Sequence, residues 1–345
     1  MAMTIAAHEL LFSIHGVEIR FLTESPSVAN AVEDLLYAFR CTAFCDVPMT
    51  MQFEAAACPA DIPMRLPADA RRLFGSSGLT VGTGRRMTWR CDVYEARGLI
   101  LADFHEEGMV VIDGAKRHVQ GYVVRPDDMT ADIRASFVHF GVTELLKRRG
   151  LYTFHATALE KNGRGVLIPG FSGRGKTTSF LSLLRGGYRY LSDDHPFFRL
   201  SGGQVELLPF PLKVNVTDQT VAFFPELQQA PTSILRPGIP KRYFRVQDLY
   251  PAPLGDPCLP AVILFPEVVD SAHSCLEPLS KKQALQLILP HALLVYDADI
   301  ARREFQALTR LVEQADAYRL HFGRDVLELP WLVTPLLERT GKGEI

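Results

Sequence analysis

The sequence lacks the features of several broad protein classes. No apolar run approaches the ~20 residues that a helix needs to cross a bilayer. Its 37 basic and 39 acidic residues leave a formal net charge of −2, which offers no overall attraction for nucleic acid. Its six cysteines include no C-x-x-C pair, and a chain of 345 residues needs no disulfides to hold a core. We therefore expect no membrane partner, no nucleic-acid partner and free thiols.

Two local patterns bear on location and on metal binding. The first residues, MAMTIAAHELLFSIHG, have no basic group ahead of their apolar part, and His8-Glu9 interrupts that part. This pattern predicts no secretion signal and favours a cytoplasmic protein. Cys41, Cys45 and Cys58 are an alternative metal site, but no fourth ligand stands at a convincing distance, so incidental thiols are the preferred interpretation.

Composition predicts a globular protein of two or three domains, since 47% of the residues are hydrophobic and 22% are charged. Residues 1–128 mix short alternating segments with turn formers, which predicts an α+β domain without a legible catalytic motif. A helix that bridges the two halves is predicted over residues 129–150. Thr130 caps this helix and Gly150 ends it. In the first domain we expect a strand pair around Gly16, a helix over 27–39, and strands over 87–94, 98–102, 109–112 and 118–124.

The second half, residues 151–345, is predicted to be an α/β domain that starts with a β-hairpin. Residues 154–160 alternate, which places His155 on one face of a strand. An Asn-Gly pair at 162–163 favours a two-residue turn. The apolar segment 165–168 then reads as a buried strand, so the hairpin brings His155 onto a strand next to the segment that follows.

That following segment, residues 170–177, reads Gly-Phe-Ser-Gly-Arg-Gly-Lys-Thr and fits the phosphate-binding pattern G-x-x-x-x-G-K-[ST]. A helix is predicted directly after it, over 178–185. Glycines allow the backbone N–H groups to face a β-phosphate, and the helix adds its positive dipole end. Lys176 is expected to reach the β/γ-oxygens and Thr177 to hold Mg²⁺. The candidate nucleotide-binding residues are Gly170, Phe171, Ser172, Gly173, Arg174, Gly175, Lys176, Thr177 and Thr178.

Two acids end the next predicted strand, which covers 188–192. Asp193 and Asp194 stand 17 and 18 residues after Lys176, so the chain passes through one helix and returns beside the loop. Phosphoryl transfer needs a phosphate cradle, a metal held by a hydroxyl and a carboxylate, and often a carboxylate that accepts the acceptor's proton. We prefer Asp194 as the base and Asp193 as a metal ligand with Thr177, and the reverse assignment stays open. The alternative without function is a pair of acids in an exposed turn.

Residues 155–194, HATALEKNGRGVLIPGFSGRGKTTSFLSLLRGGYRYLSDD, resemble the catalytic core of the HPr kinase/phosphorylase family. The matching features are His155, the G-x-S-G-x-G-K form of the loop, the Asp-Asp pair and their spacings. The resemblance implies a P-loop kinase domain over 151–345, related to the phosphoenolpyruvate carboxykinase fold, with ATP and Mg²⁺. It also implies His155 near the transferred phosphoryl group, nucleotide contacts from Lys176, an aspartate base, Ser/Thr kinase activity, and a homo-oligomer as one expectation.

The chain departs from that family downstream. It lacks the family's glycine-rich segment, which begins with a metal-binding glutamate and an arginine. This absence indicates that the chain is a divergent relative, and we expect it to catalyse little phosphorolysis. Residues 209–213 instead read PFPLK, similar to the P-x-P-x-x-K segment of shorter kinase-like relatives but with one residue fewer before the lysine. Lys213 is therefore a candidate phosphate or substrate contact, with a solvated lysine as the alternative.

Further candidates come from charged and titratable residues around these motifs. Lys241 and Arg242, with Arg245, form a basic cluster that is either a phosphoryl clamp or ordinary surface charge. His195 either tunes Asp194 or faces solvent. Glu206 and Asp218 are weak candidates for a further metal ligand. Elsewhere we expect strands over 197–200, 205–208 and 261–265, helices over 280–289 and 299–315, and surface loops over 214–258.

The preferred function is an ATP- and Mg²⁺-dependent kinase that acts on a Ser/Thr hydroxyl of a peptide or protein, with the first domain helping to select the acceptor. A small-molecule kinase, for example one acting on free serine, is a second hypothesis. A nucleotide-binding regulatory module without turnover is a third, and the Asp193-Asp194 pair argues against it because a sensor needs no base. ATP and GTP remain alternative donors.

Overall fold

The computed structural model of the chain describes residues 8–75, 80–81, 85–86, 91–129, 131–171, 173–236, 239–250, 254–292 and 297–339. It is a mixed α/β structure with several sheets, and the chain divides into two compact units, Met1–Arg149 and Gly150–Ile345. The expected helix cap Thr130, the loop residue Ser172 and part of the strand expected over 87–94 lie outside the described residues.

The first unit is built on an eight-stranded mixed sheet with the order β1-β2-β3-β10-β9-β8-β7-β4. Strand β3 runs parallel to both of its neighbours, and the other pairs are antiparallel. The elements are β1 (His8–Ile14), β2 (Val17–Thr23), α1 (Pro26–Leu35), β3 (Met49–Ala56), β4 (Arg71–Gly75), β5 (Thr80–Val81), β6 (Arg85–Arg86), β7 (Asp92–Ala96), β8 (Leu99–Asp103), β9 (Gly108–Asp113), β10 (His118–Val124) and α2 (Ala131–Arg148).

Helix α2 packs on the sheet of the first unit and on α1. It ends where Gly150 adopts a left-handed backbone at φ +76°, as the sequence predicts. Phe137, Val142 and Leu145 are fully buried. Gly141 allows the close approach, because a Cβ there would lie 2.8 Å from the Met51 side chain. The apolar pattern of this helix therefore covers one face of the sheet.

The second unit contains a six-stranded sheet and two three-stranded sheets. Its elements are β11 (Tyr152–Thr153), β12 (Ala156–Lys161), β13 (Arg164–Pro169), α3 (Lys176–Arg185), β14 (Arg189–Ser192), β15 (Phe197–Ser201), β16 (Gln204–Leu208), β17 (Val214–Val216), α4 (Asp218–Val221), β18 (Thr232–Arg236), β19 (Ile239–Phe244), α5 (Val246–Leu249), β20 (Leu259–Val268), β21 (Cys275–Leu279), α6 (Lys281–Ile288), α7 (Ala298–Gln314), β22 (Asp316–Phe322) and α8 (Leu329–Arg339).

Strand directions in the six-stranded sheet decide where the functional segments meet. The order is β14-β12-β13-β20-β22-β21, with β13, β20 and β22 parallel and β12 antiparallel to both β13 and β14. The ends of β13 and β14 therefore lie at one edge of the sheet, and β12 begins there. A two-residue turn joins β12 to β13 with Asn162 at φ +55° and Gly163 at φ +75°, as the Asn-Gly pair predicts.

Two expectations from the sequence are wrong in detail. The alternation over 154–160 is not one strand, because the chain changes sheets: β11 pairs with β15, and β12 joins the six-stranded sheet. His155 lies in the break, and its backbone N–H donates to the carbonyl of His291 at 2.7 Å. The break places the His155 side chain at the sheet edge, just ahead of β12.

Residues 214–258 are not surface loops throughout. They include a sheet with the order β17-β19-β18, and they add Val214, Phe224, Leu227 and Phe244 to the core that buries one side of α3. The proline and polar content of this segment predicted loops, yet Pro240 lies within β19.

Two further observations concern the cysteines and the helices. Cys41, Cys45 and Cys58 are free and do not join a group of three potential metal ligands in the described part of the chain. Across the same residues, no helix combines the length and the apolar character that a bilayer span requires.

Candidate functional site

The loop between β13 and α3 is held against the ends of two neighbouring strands. Gly173 and Gly175 have φ values of +88° and +90°, which glycine adopts without strain. A Cβ at Gly175 would lie 3.1 Å from Phe322 and 3.2 Å from Val268, so only a glycine fits easily against the ends of β22 and β20. The side chain of Phe171 is 54% exposed. The loop thus has the backbone freedom that a phosphate cradle needs.

Lys176, the first residue of α3, is buried and contacts two other candidate residues. Its Nζ donates to Asp194 Oδ1 at 2.6 Å and lies 2.9 Å from His155 Nε2. Since an ammonium group offers only donors, Nε2 accepts, which requires a neutral imidazole. Burial and then the Lys176 charge lower the pKa of His155 to about 4, in agreement with that state. The structure therefore brings together three residues predicted for the site.

Asp194 has an unusual backbone. Its φ of +74° lies in the left-handed region, and its carbonyl accepts from the Ala156 N–H at 3.3 Å. Burial acts to raise the pKa of its carboxyl, but the charge of Lys176 and the hydrogen bond from it outweigh that effect and hold the pKa below the usual range. The side chain is still 44% exposed. Asp194 is thus charged at neutral pH and accessible to a ligand.

Asp193, unlike Asp194, is buried, and only 4% of its surface is exposed. The Thr157 hydroxyl donates to its Oδ1 at 2.7 Å. Burial, followed by the charge of Asp194, raises the pKa of Asp193 to about 7. The adjacent acids therefore differ: one is held as a carboxylate, and the other titrates near neutrality.

Tyr190 links this acid pair to another segment, and the sequence analysis missed it. Its buried hydroxyl accepts from the Asp193 N–H at 2.9 Å and from the Leu212 N–H at 3.2 Å, and it donates to the Leu212 carbonyl at 2.9 Å. A buried tyrosine hydroxyl usually has a hydrogen-bond partner. This general rule is the one signal in the sequence that could have pointed to Tyr190.

The remaining basic candidates are Lys241, Lys213 and Arg242, and each has an interaction within the second unit. Lys241 acts electrostatically on Asp193 and lowers its pKa. Lys213 lies over the Tyr243 ring, with Nζ 5.3 Å from the centroid. Arg242 pairs with Asp218 at 3.4 Å and donates to the Gln228 carbonyl at 3.0 Å.

Other candidates have local partners as well. Glu206 pairs with Arg199 at 2.7 Å within the β15–β16 hairpin. Thr178 lies with its hydroxyl 3.4 Å from that of Thr220.

The charge of Lys176 acts on two more histidines. The His195 ring lies 6.1 Å from the His155 ring, and burial lowers the pKa of His195 to about 4. The sequence analysis did not single out His291. Its ring lies 4.4 Å from that of Phe171, and burial followed by the Lys176 charge lowers its pKa to about 4. The cation of Lys176 thus contacts one neutral imidazole, that of His155, it acts on two others through its charge, and Asp194 is its anionic hydrogen-bond partner.

Comparison with known proteins gives a weak likeness to a solved structure. No family model and no curated protein matches the sequence. Among solved structures, the chain is similar to the Hpr(Ser) kinase/phosphatase from Coxiella burnetii, with 15% sequence identity and a TM-score of 0.27. The match covers 54% of this chain and 94% of that one.

Proposed function

We propose that the chain is an ATP- and Mg²⁺-dependent kinase with a P-loop domain of the HPr kinase type over residues 151–345. The acceptor is a Ser/Thr hydroxyl of a peptide or protein. One observation carries the proposal: Lys176 at the start of the loop helix is hydrogen-bonded to Asp194, beside a second acid with a contrasting protonation state. A cation at a glycine-rich loop supports phosphate binding, and the contrasting acids support proton transfer.

Each residue of the candidate site has a separate role in the proposed phosphoryl transfer. The loop N–H groups and Lys176 bind the β- and γ-phosphates, and Lys176 exchanges Asp194 for phosphate oxygens. Asp194 then accepts the proton of the acceptor hydroxyl. The acceptor oxygen bonds to the γ-phosphorus as the bond from that phosphorus to the ADP oxygen breaks. His155, a neutral acceptor 2.9 Å from Lys176 Nζ, orients the ammonium group.

The donor atoms at the site fit Mg²⁺. The Thr177 hydroxyl and an Asp193 carboxylate oxygen are hard ligands of the kind that Mg²⁺ takes. The raised pKa of Asp193 reflects burial beside another carboxylate, so a divalent cation here would relieve a repulsion that the fold leaves in place. When bound, the ion neutralises phosphate charge during transfer.

The nucleotide site is tested with Lys176→Met, which keeps the length of the side chain but removes its charge. We expect ATP binding, followed by calorimetry with Mg²⁺, to weaken at least ~10-fold, because hydrogen bonds to charged groups contribute about 1.5–3 kcal/mol. Transfer from labelled ATP should be lost. Lys282→Met removes an exposed lysine of α6 and is the matched control. Equal ATP binding by both variants would refute the site.

The acceptor is tested by offering labelled ATP with either a peptide pool or a metabolite pool. Labelled peptide supports the proposal, labelled serine supports a small-molecule kinase, and tight ATP binding without transfer to either supports a regulatory module. We assign acceptor selection to the first unit, which carries no catalytic motif. Hydrogen exchange of the full chain with its acceptor should then show protection before residue 150, and protection confined to later residues would contradict that role.

A further inference from the structure

His291 has a buried ring nitrogen without a partner among the described residues. The residue closes a short turn after α6 and is 7% exposed. Among the residues that the structure describes, its Nδ1 finds no hydrogen-bond partner. Leaving a buried polar group unpaired costs about 1–3 kcal/mol, and buried ring nitrogens in native proteins are normally paired with protein, water or a ligand. The unpaired atom therefore points to a group that binds there.

The position of His291 identifies the kind of group. Its backbone carbonyl accepts from the His155 N–H at 2.7 Å, and His155 in turn contacts Lys176. Its ring packs against Phe171, the second residue of the loop, with centroids 4.4 Å apart. His291 is thus fixed beside the phosphate cradle by two residues of the candidate site, although it lies more than 100 residues away in sequence.

We propose that His291 is a further phosphate-binding residue, whose Nδ1–H donates a hydrogen bond to a γ-phosphoryl oxygen of the bound nucleoside triphosphate. This inference rests on the proposed function. The loop N–H groups surround the β-phosphate, whereas His291 approaches from outside the loop on the side of His155, which favours the γ-phosphoryl group. The ring is neutral at pH 7, so one nitrogen carries a proton to donate.

The test compares two substitutions at one position. His291→Phe keeps an aromatic ring against Phe171 but removes the donor. His291→Asn places an amide nitrogen near the position of Nδ1. We expect His291→Phe to weaken ATP binding about 10-fold or more and to leave ADP binding within about 2-fold, because a hydrogen bond to a charged group contributes about 1.5–3 kcal/mol. His291→Asn should retain ATP affinity within about 3-fold. His273→Phe, at an exposed histidine, is the control.

The outcomes separate the two hypotheses. If the unmodified protein binds no ATP, the proposed function fails. If it binds ATP and His291→Phe binds ATP equally well, the role of His291 is overturned. Equal weakening for ATP and ADP would overturn the γ-phosphoryl assignment. If His291→Phe does not fold, nitrogen NMR of the unmodified protein decides: the His291 Nδ1 resonance should move with Mg-ATP but not with Mg-ADP, and the same spectrum with both nucleotides would overturn the proposal.

Discussion

Each unit of the chain contains an ion pair with a buried lysine, and the two pairs differ in how they form. In the first unit, Lys147 Nζ lies 3.1 Å from Glu144 Oε1, and Arg148 Nη1 lies 3.1 Å from Glu144 Oε2. These residues are three and four positions apart on α2, so helix geometry alone brings them together. In the second unit, the partners Lys176 and Asp194 are 18 residues apart, and the strand order of the sheet is needed to join them.

The charge balance of the two pairs differs as well. Glu144 has two cationic partners within 3.1 Å. In contrast, Asp194 lies next to a second acid, Asp193, whose pKa is raised by burial and then by the charge of Asp194. Asp194 also has a left-handed backbone. Uneven charge and a left-handed backbone thus occur together at the candidate site, which is a combination that we expect at functional sites.

The largest effect is expected at Asp194. Asn tolerates the left-handed backbone, so Asp194→Asn removes the proposed base without a new strain. We expect kcat to fall roughly 10³-fold, within the range for loss of a general base. The measurement is steady-state transfer from labelled ATP. Asp193→Asn should instead raise the Mg²⁺ concentration needed for half-maximal rate. If Asp193→Asn loses kcat and Asp194→Asn loses Mg²⁺ dependence, the roles are reversed.

Glu144→Gln tests the other side of the comparison. It leaves Lys147, which is 1% exposed, without its carboxylate. Removing one partner of a buried pair destabilises a protein by about 3–5 kcal/mol, and we expect about 3 kcal/mol in urea-induced unfolding. At temperatures where the variant stays folded, kcat should be unchanged. A large drop in kcat with intact folding would mean that the α2 pair also serves the reaction.

A smaller effect is expected at Tyr190. Tyr190→Phe removes the hydroxyl that joins Asp193 to Leu212, and it should cost about 1–3 kcal/mol of stability for the buried groups left unpaired. It should also lower kcat/KM about 10-fold and shift the pH at which the rate is half-maximal. Tyr188→Phe is the matched control, because that buried hydroxyl bonds to Thr334 at 3.0 Å. Equal kinetics in the two variants would leave Tyr190 a purely structural role.

The sequence predicted local features well, and it predicted the meeting of Lys176 with Asp194 and His155, but it missed other long-range features. The Asn-Gly turn, the glycine-rich loop and the Ser280–Gln283 capping box are set by neighbouring residues, and the structure shows the turn and the capping box as expected. The break at His155 was missed because it arises from a change of sheet. His291 was missed because it reaches the loop only through tertiary packing, and no pattern within its own turn distinguishes it from an ordinary buried histidine.

The smallest effect concerns acid stability of the second unit. The pKa values of His155, His195 and His291 are lowered to about 4 in the folded protein, from 6.5. Between these values the unfolded chain binds more protons, so their contribution to stability is present above pH 6.5 and is lost as pH falls towards 4. Asp193 acts in the opposite direction: its pKa is raised from 3.8 to about 7, so its contribution is present below 3.8 and is lost as pH rises through 7.

Three histidines oppose one aspartate, so we expect a net loss of stability on acidification from pH 6.5 to 4.5, measured by urea-induced unfolding. A single fully buried histidine contributes a slope of up to ~1.4 kcal/mol per pH unit. His291→Phe removes one such group and should reduce the loss of stability per pH unit on acidification by up to that amount. An unchanged slope in His291→Phe would mean that His291 is not held neutral in the folded protein, and that its donor geometry beside Lys176 must be reconsidered.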